Sequence, residues 1–236
     1  YGAGDEREIG RAVGQGFWLA LILSAIGTVI AWNADTLLLL AGQEPKVAAL
    51  AADYTRAMSY GLVANLWFSV LRAFCDAVSR TRIAMVISFV AVFLNIGADY
   101  VLIYGKLGFP ALGPAGAGYA TAIVRWSMLA LMAWYVFRSA EFRRYHFLRN
   151  ARRIYPKRIG KILRLGLPIG VTHSMEHGFF GLTSLLMGTI GTVALAAHQA
   201  SIILAALAFM VPMGTSLAIT ARVGQAIGRG DRAGAA

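Results

Sequence analysis

Six apolar runs, each long enough to cross a bilayer, limit what this chain can fold into. A spanning helix needs roughly 20 mostly apolar residues. In lipid only helices and closed barrels satisfy their own backbone polar groups. The runs cover residues 12–32, 48–78, 83–104, 116–138, 161–190 and 193–221. The chain is 58% hydrophobic and only 14% charged, too little polar surface for a water-soluble fold. The expected class is an all-α membrane protein, a polytopic bundle of six transmembrane helices. The second run is over-long for one straight crossing, so it is expected to tilt or to extend past the membrane. Pro168 is expected to kink the first turns of the fifth run, and Pro212 to bend the sixth. Polar or Gly/Pro-rich stretches at 1–11, 33–47, 79–82, 105–114, 139–160, 191–192 and 222–236 read as loops, turns and tails.

The net charge of +11 could suggest a nucleic-acid partner, but the positive residues cluster between the apolar runs, which excludes that class. Cytoplasmic loops collect Lys and Arg. One set of loops holds Arg7 and Arg11, then Arg72, Arg80 and Arg82, then ten basic residues from Arg138 to Arg164, then Arg222, Arg229 and Arg232. The opposite set holds little beyond Lys46, Arg56 and Lys106. Residues 1–11, 79–82, 139–160 and 222–236 are therefore expected on the cytoplasmic side. Residues 139–160 interleave basic residues with Phe142, Tyr145, Phe147, Leu148, Ile154 and Tyr155, a mixture suited to lying on the membrane surface. The single Cys75 has no Cys to pair with and reads as a packing residue.

Gly2-Ala3-Gly4-Asp5 and Gly228-Arg229-Gly230-Asp231 echo one another across the six runs. Both copies fall on the same side, as in parallel repeats related by an axis along the membrane normal. The chain then covers one repeat period cut out of register, in a protein of about twelve spans by doubling. Residue 1 is Tyr and no signal peptide precedes the first run, so the chain is expected to be a piece of a longer protein.

Few residues in these runs carry chemistry. Glu176 lies near the middle of the fifth run, where a carboxylate costs on the order of 2.5–3.5 kcal/mol to insert. Loss of water favours the protonated form of a carboxyl group, which suits Glu176 to carrying a proton. His173, three residues earlier, shares its helix face, whereas His177 is expected to point elsewhere. Asn95 and Asp99 are four apart in the third run, and Thr121 lies at similar depth in the returning fourth run. A carboxylate, an amide carbonyl and a hydroxyl are the oxygen ligands a hard cation takes. The other reading of Asn95 and Asp99 is hydrogen bonding to backbone near a helix end. Arg125, one turn deeper than Thr121, could pair with Asp99 and weaken a sodium site.

Three further features read as structural. Arg72 and Asp76 fit a surface ion pair, and His198-Gln199 fit packing or interhelical hydrogen bonds. Asn65 could face a cavity or a neighbouring helix. Most Phe, Trp and Met residues of the first four runs face lipid or other helices, and the rest could line an apolar cavity. No phosphate loop of GxxxxGK type, no HExxH and no nucleophile elbow is present, so no enzyme activity is expected.

The stretches 74–87, 94–123, 164–176, 196–201 and 212–231 resemble the multidrug and toxic compound extrusion (MATE) family, closest to its NorM-like branch. The resemblance implies a twelve-helix, two-lobe exporter of which this chain holds the third to eighth helices. Residues 1–138 would be the last four helices of the amino-terminal lobe, 139–160 a cytoplasmic inter-lobe linker, and 161–236 the first two helices of the carboxy-terminal lobe. It also implies a cation site at Asn95, Asp99 and Thr121, completed by a carboxylate from the first helix. A second site would lie at Glu176, ten residues after Gly166 of a GxP motif, with an acidic partner on the tenth helix; Arg125 and His173 are candidate modulators. The expected activity is Na+- or H+-coupled antiport of amphipathic, often cationic, drugs across the bacterial inner membrane. No other cofactor is implied, and the transporter is expected to be monomeric. A lipid-intermediate flippase of related architecture and a non-transporting membrane scaffold are the alternatives.

Overall fold

The computed structural model describes residues 6–40, 42, 44–108, 110–139, 142 and 154–231. Among the described residues eight α-helices follow one another: α1 (Glu6–Trp32), α2 (Ala34–Leu40), α3 (Pro45–Ser59), α4 (Leu62–Ala77), α5 (Thr81–Tyr104), α6 (Gly113–Arg138), α7 (Pro156–Ile190) and α8 (Thr192–Arg229). No strand occurs among the described residues. Four helices are, each alone, long and apolar enough to span: Glu8–Trp32 within α1, then α5, α6, and Val193–Arg229 within α8. The chain divides into two compact units, one through Ile154 and one from Tyr155.

In the first unit α6 is the central element, packed on α3, α4 and α5, while α1 packs on α3 and α4. Small residues on two faces of α6 make this possible. A Cβ on Gly116 would lie 2.5 Å from the Leu102 carbonyl oxygen of α5, and one on Gly118 would lie 2.6 Å from the Tyr54 carbonyl oxygen of α3. Ala120 and Ala122 continue the two stripes one turn on, both buried. Without a hydrophobic drive between helices in lipid, such close backbone approach is how packing is gained. The dense core lies where α4 ends and α5 begins. It gathers Phe68, Leu71, Phe74 and Cys75 of α4, Ala84 and Ile87 of α5, and Leu129, Met132 and Val136 of α6. Cys75 is fully buried there, as its packing role requires. The outer faces stay apolar and exposed, as at Ile26 and Val29 of α1 and Phe89 and Phe93 of α5, the surface a lipid-facing helix presents.

The structure departs from the sequence expectation at several places. The over-long second run is not one helix but α3 and α4, meeting at Tyr60–Gly61. The bend belongs to α6: a Cβ on Gly61 would stand 2.9 Å from Ala122 Cα. Trp126 Nε1 donates to the freed Tyr60 carbonyl at 3.0 Å. The loop after α1 contains the short α2, and Arg56 of α3 holds that corner. Its guanidinium donates to the Trp32 carbonyl at the end of α1 and to Asp35 Oδ2 of α2 at 2.8 Å. Phe142, expected on the membrane surface, is buried against Phe74 and Tyr135. Residues 140–141 and 143–153 of that basic segment lie outside the described residues, and α7 already begins at Pro156.

The second unit is a helical hairpin. Gly191 alone forms its turn, with φ 150° and ψ 166°, a region open to glycine. Gln199 Nε2 of α8 donates to Ser184 Oγ of α7 at 3.2 Å, the interhelical bond expected of this pair. Pro168 and Pro212 both sit inside unbroken helices. The tail expected from Arg222 is helical as far as Arg229, and the Gly228–Asp231 copy of the echo is its C-cap. Gly230 adopts φ 75°, and Asp231 N–H donates back to the Ala226 carbonyl. The copy at residues 2–5 lies outside the described residues.

Candidate functional site

The α5–α6 seam sets the relative depth of Asn95, Asp99 and Thr121. Gly116 faces the Leu102–Ile103 backbone, and the helices are antiparallel, so Thr121 stands level with Gly97–Ala98, within about 3 Å along the axis of Asp99. Asn95 and Asp99 flank the α6-facing stripe formed by Ala84, Ile87, Ala91 and Leu102. With about 100° per residue, that stripe and the Gly116–Ala120 stripe of α6 turn Asp99 and Thr121 to the same side of the seam. Asn95, Asp99 and Thr121 are each half-buried. Thr121 Oγ1 donates to the Ala117 carbonyl of its own helix at 2.9 Å, leaving its lone pairs open. Asp99 Oδ1 is enclosed without a hydrogen-bond partner. An enclosed polar atom left unsatisfied costs about 1–3 kcal/mol, so the fold tolerates here a group that a proton or a cation could satisfy.

Arg125 does not pair with Asp99. By the same register it stands level with Phe93–Leu94, about 8 Å along the axis from Asp99 at 1.5 Å per residue. Its side chain runs toward the α3–α4 bend, with Cδ 3.0 Å from where a Gly61 Cβ would be, and its Nη1 also lacks a partner. The seam thus presents an unpartnered acid, and the guanidinium without a partner stands one and a half turns away, on the face of α6 turned to the α3–α4 bend. The guanidinium does not occupy the space beside the carboxylate.

In the second unit Glu176 sits twelve residues past Arg164 and fourteen before the end of α7, about 18 Å and 21 Å along the helix. That is near the middle of the apolar part of α7, the expected fifth span, although α7 is not among the four helices apolar enough on their own to cross. Its side chain is 44% exposed, and its partner is His173, whose Nδ1 lies 3.5 Å from Glu176 Oε2. Two helices cannot enclose a side chain on their outer faces, so within this unit Glu176 is not the shielded acid that its position in the sequence suggests. His177 corrects a further expectation. It does not point away: its ligand atom and those of His173 and Glu176 lie within 4.8 Å of one another. The spacing i, i+3, i+4 carries that signal, because both steps return to one helix face.

Arg72 and Asp76 form the surface ion pair at 3.7 Å. Asn65 is half-buried in α4. His198 has an enclosed Nε2 without a partner.

The comparisons with known proteins agree with this architecture. The chain is 40% identical over 234 residues to the probable multidrug resistance protein NorM of Rhizobium meliloti (strain 1021), covering 99% of this chain and 50% of the relative. It is similar in structure to the eukaryotic MATE transporter AtDTX14, with a TM-score of 0.83 at 19% identity, over 99% of this chain and 51% of that one. It is also similar to the MATE transporter NorM-NG, solved in complex with a monobody, with a TM-score of 0.68 at 28% identity, over 97% and 50%. The chain spans about half the length of the curated relatives it matches. Residues 1–101 and 168–236 match the family model described as MatE, which takes in Asn95, Asp99 and Glu176. On these matches, and on a helical bundle of the same fold, the chain belongs to the MatE family.

Proposed function

We propose that this chain supplies the third to eighth helices of a cation- or proton-coupled exporter of amphipathic organic cations, working by alternating access. The observation that carries the reading is Asp99 Oδ1, enclosed without a partner at the level of Thr121. An acid kept unsatisfied in an apolar bundle has a use for a mobile positive charge. Residues 1–138 belong to one lobe, 139–160 to the cytoplasmic linker, and 161–236 to the other lobe. Asn95, Asp99 and Thr121 hold the coupling cation or proton in the first, and Glu176 holds it in the second. Carboxylates from the remaining helices complete both.

In this cycle the drug binds from the cytoplasm or inner leaflet while the carboxylates are free. The lobes rock, and an external cation or proton takes the carboxylates and displaces the drug. Exchange is enforced because ion and drug compete and each prefers a different state. The multidrug resistance names of the relatives, at 36–40% identity, support the substrate class. Clustered Lys and Arg between the spans support a bacterial inner-membrane topology with those loops inside. A monomer suffices for the cycle. The test is efflux of a cationic rhodamine dye from proteoliposomes holding the full-length protein, with sodium and pH gradients imposed separately. Efflux driven by one or both is expected and identifies the ion; gradient-independent movement of dye would reject coupling.

A further inference from the structure

His173, Glu176 and His177 form a three-ligand set that monovalent coupling does not call for. Two imidazoles and a carboxylate occupy one face of α7 at i, i+3 and i+4, and their ligand atoms lie within 4.8 Å of one another. Two ligands of one ion, each about 2.1 Å from it, stand at most about 4.2 Å apart, so small side-chain rotations suffice to close this set on one ion. Sodium takes oxygen ligands, whereas imidazole nitrogens select borderline transition metals such as zinc, cobalt, nickel or copper. One ring nitrogen of His177 is engaged by backbone. His177 Nδ1 lies 2.9 Å from the His173 carbonyl, so Nδ1–H donates to backbone and Nε2 carries the lone pair. A ligating histidine characteristically has its other ring nitrogen held in this way.

His173 turns Nδ1 toward Glu176 Oε2 at 3.5 Å, which brings the carboxylate to the imidazole side of the cluster. All three side chains lie on the exposed face of α7 in their unit, so no neighbour within the unit occupies the space between them. No Lys or Arg lies on α7 between Arg164 and Ile190 to compete for the carboxylate. Three protein ligands would leave at least one position of a four-coordinate ion for water or another ligand, as in sites that keep an exchangeable position.

We propose that His173, Glu176 and His177 bind a divalent transition-metal ion, zinc or cobalt in class, at mid-depth of α7. The site has three protein ligands and at least one open position. It shares Glu176 with the proposed coupling site, but it stands on coordination geometry whether or not Glu176 couples transport.

The test is Co2+ titration of the full-length protein in detergent, carrying no histidine tag and pre-treated with chelator. Visible d–d absorption reports coordination, and Zn2+ displacement reports competition. One equivalent of Co2+ is expected to give a saturating signal that Zn2+ abolishes. H177A should weaken binding by about tenfold or more, and H173A/H177A should remove the signal. H198A should keep it, because His198 is on α8, whose neighbour Gln199 meets α7 at Ser184, seven residues beyond His177. An unchanged melting temperature of each variant checks that packing is intact. Absence of a Co2+ signal in the wild type, or wild-type binding by H173A/H177A, would overturn the proposal. Transport enters neither result, so a failure here is distinct from a failure of ion coupling.

Discussion

At the residue scale, what matters is which charges are partnered. Asp99 and Arg125 leave each other alone, because the α5–α6 register sets them about 8 Å apart along the axis and Arg125 turns toward the α3–α4 bend. Truncating one member of a true buried pair costs about 3–5 kcal/mol, since the other is stranded. Arg125→Leu should instead leave the melting temperature of the detergent-solubilised protein unchanged or raise it. A drop of several degrees would reveal a partner. Arg56 is the contrasting case, bonded to the Trp32 carbonyl and to Asp35. The Thr36 backbone N–H, and next the Arg56 guanidinium, hold the Asp35 carboxyl below the usual aspartate range. A depressed folded value means that the stabilisation is present above the usual range and is lost as pH falls through the folded one. Asp35→Asn should therefore melt below the wild type at neutral pH, and the gap should close below about pH 3.8, the ordinary value. A gap independent of pH would remove Asp35 ionisation from the explanation.

At the element scale α6 decides the shape of the first unit through its glycines. Gly118→Leu would drive a side chain into the α3 backbone at Tyr54, and a cost of about 1–3 kcal/mol or more is expected, read as a fall in melting temperature and folded yield. Gly191→Ala meets no neighbour, so its cost is the backbone term alone, about 1–3 kcal/mol. Equal stability of that variant would show that the turn adopts another conformation.

The apolar runs make most helices legible, because a bilayer fixes length and hydrophobicity together. They cannot show the bend at Tyr60–Gly61, which lies in an apolar stretch and is imposed by Ala122 from another helix. Nor can they show helix through Arg229, where composition turns polar while the backbone continues to the Gly230 cap. The depth match of Asp99 and Thr121 follows from counting residues on either side of a short loop. The unpartnered state of Asp99 Oδ1 does not, since it depends on where Arg125 goes. His177 escapes the sequence reading for a plainer reason: adjacency to Glu176 hides the four-residue step from His173.

At the scale of the whole molecule, the proposed exporter is a device for moving charge, with one acid five residues before the end of α5 and the other near the middle of α7. Its two units carry different chemistry: oxygen donors at the α5–α6 seam, and an acid with two imidazoles on one face of α7. Asp99 and Glu176 are, on this view, the groups the driving ion must reach. The most direct measurement is rhodamine efflux by full-length Asp99→Asn and Glu176→Gln in proteoliposomes, under whichever gradient drives the wild type. Each variant is predicted to insert and melt like the wild type yet lose gradient-driven efflux. Wild-type efflux by both would contradict that view.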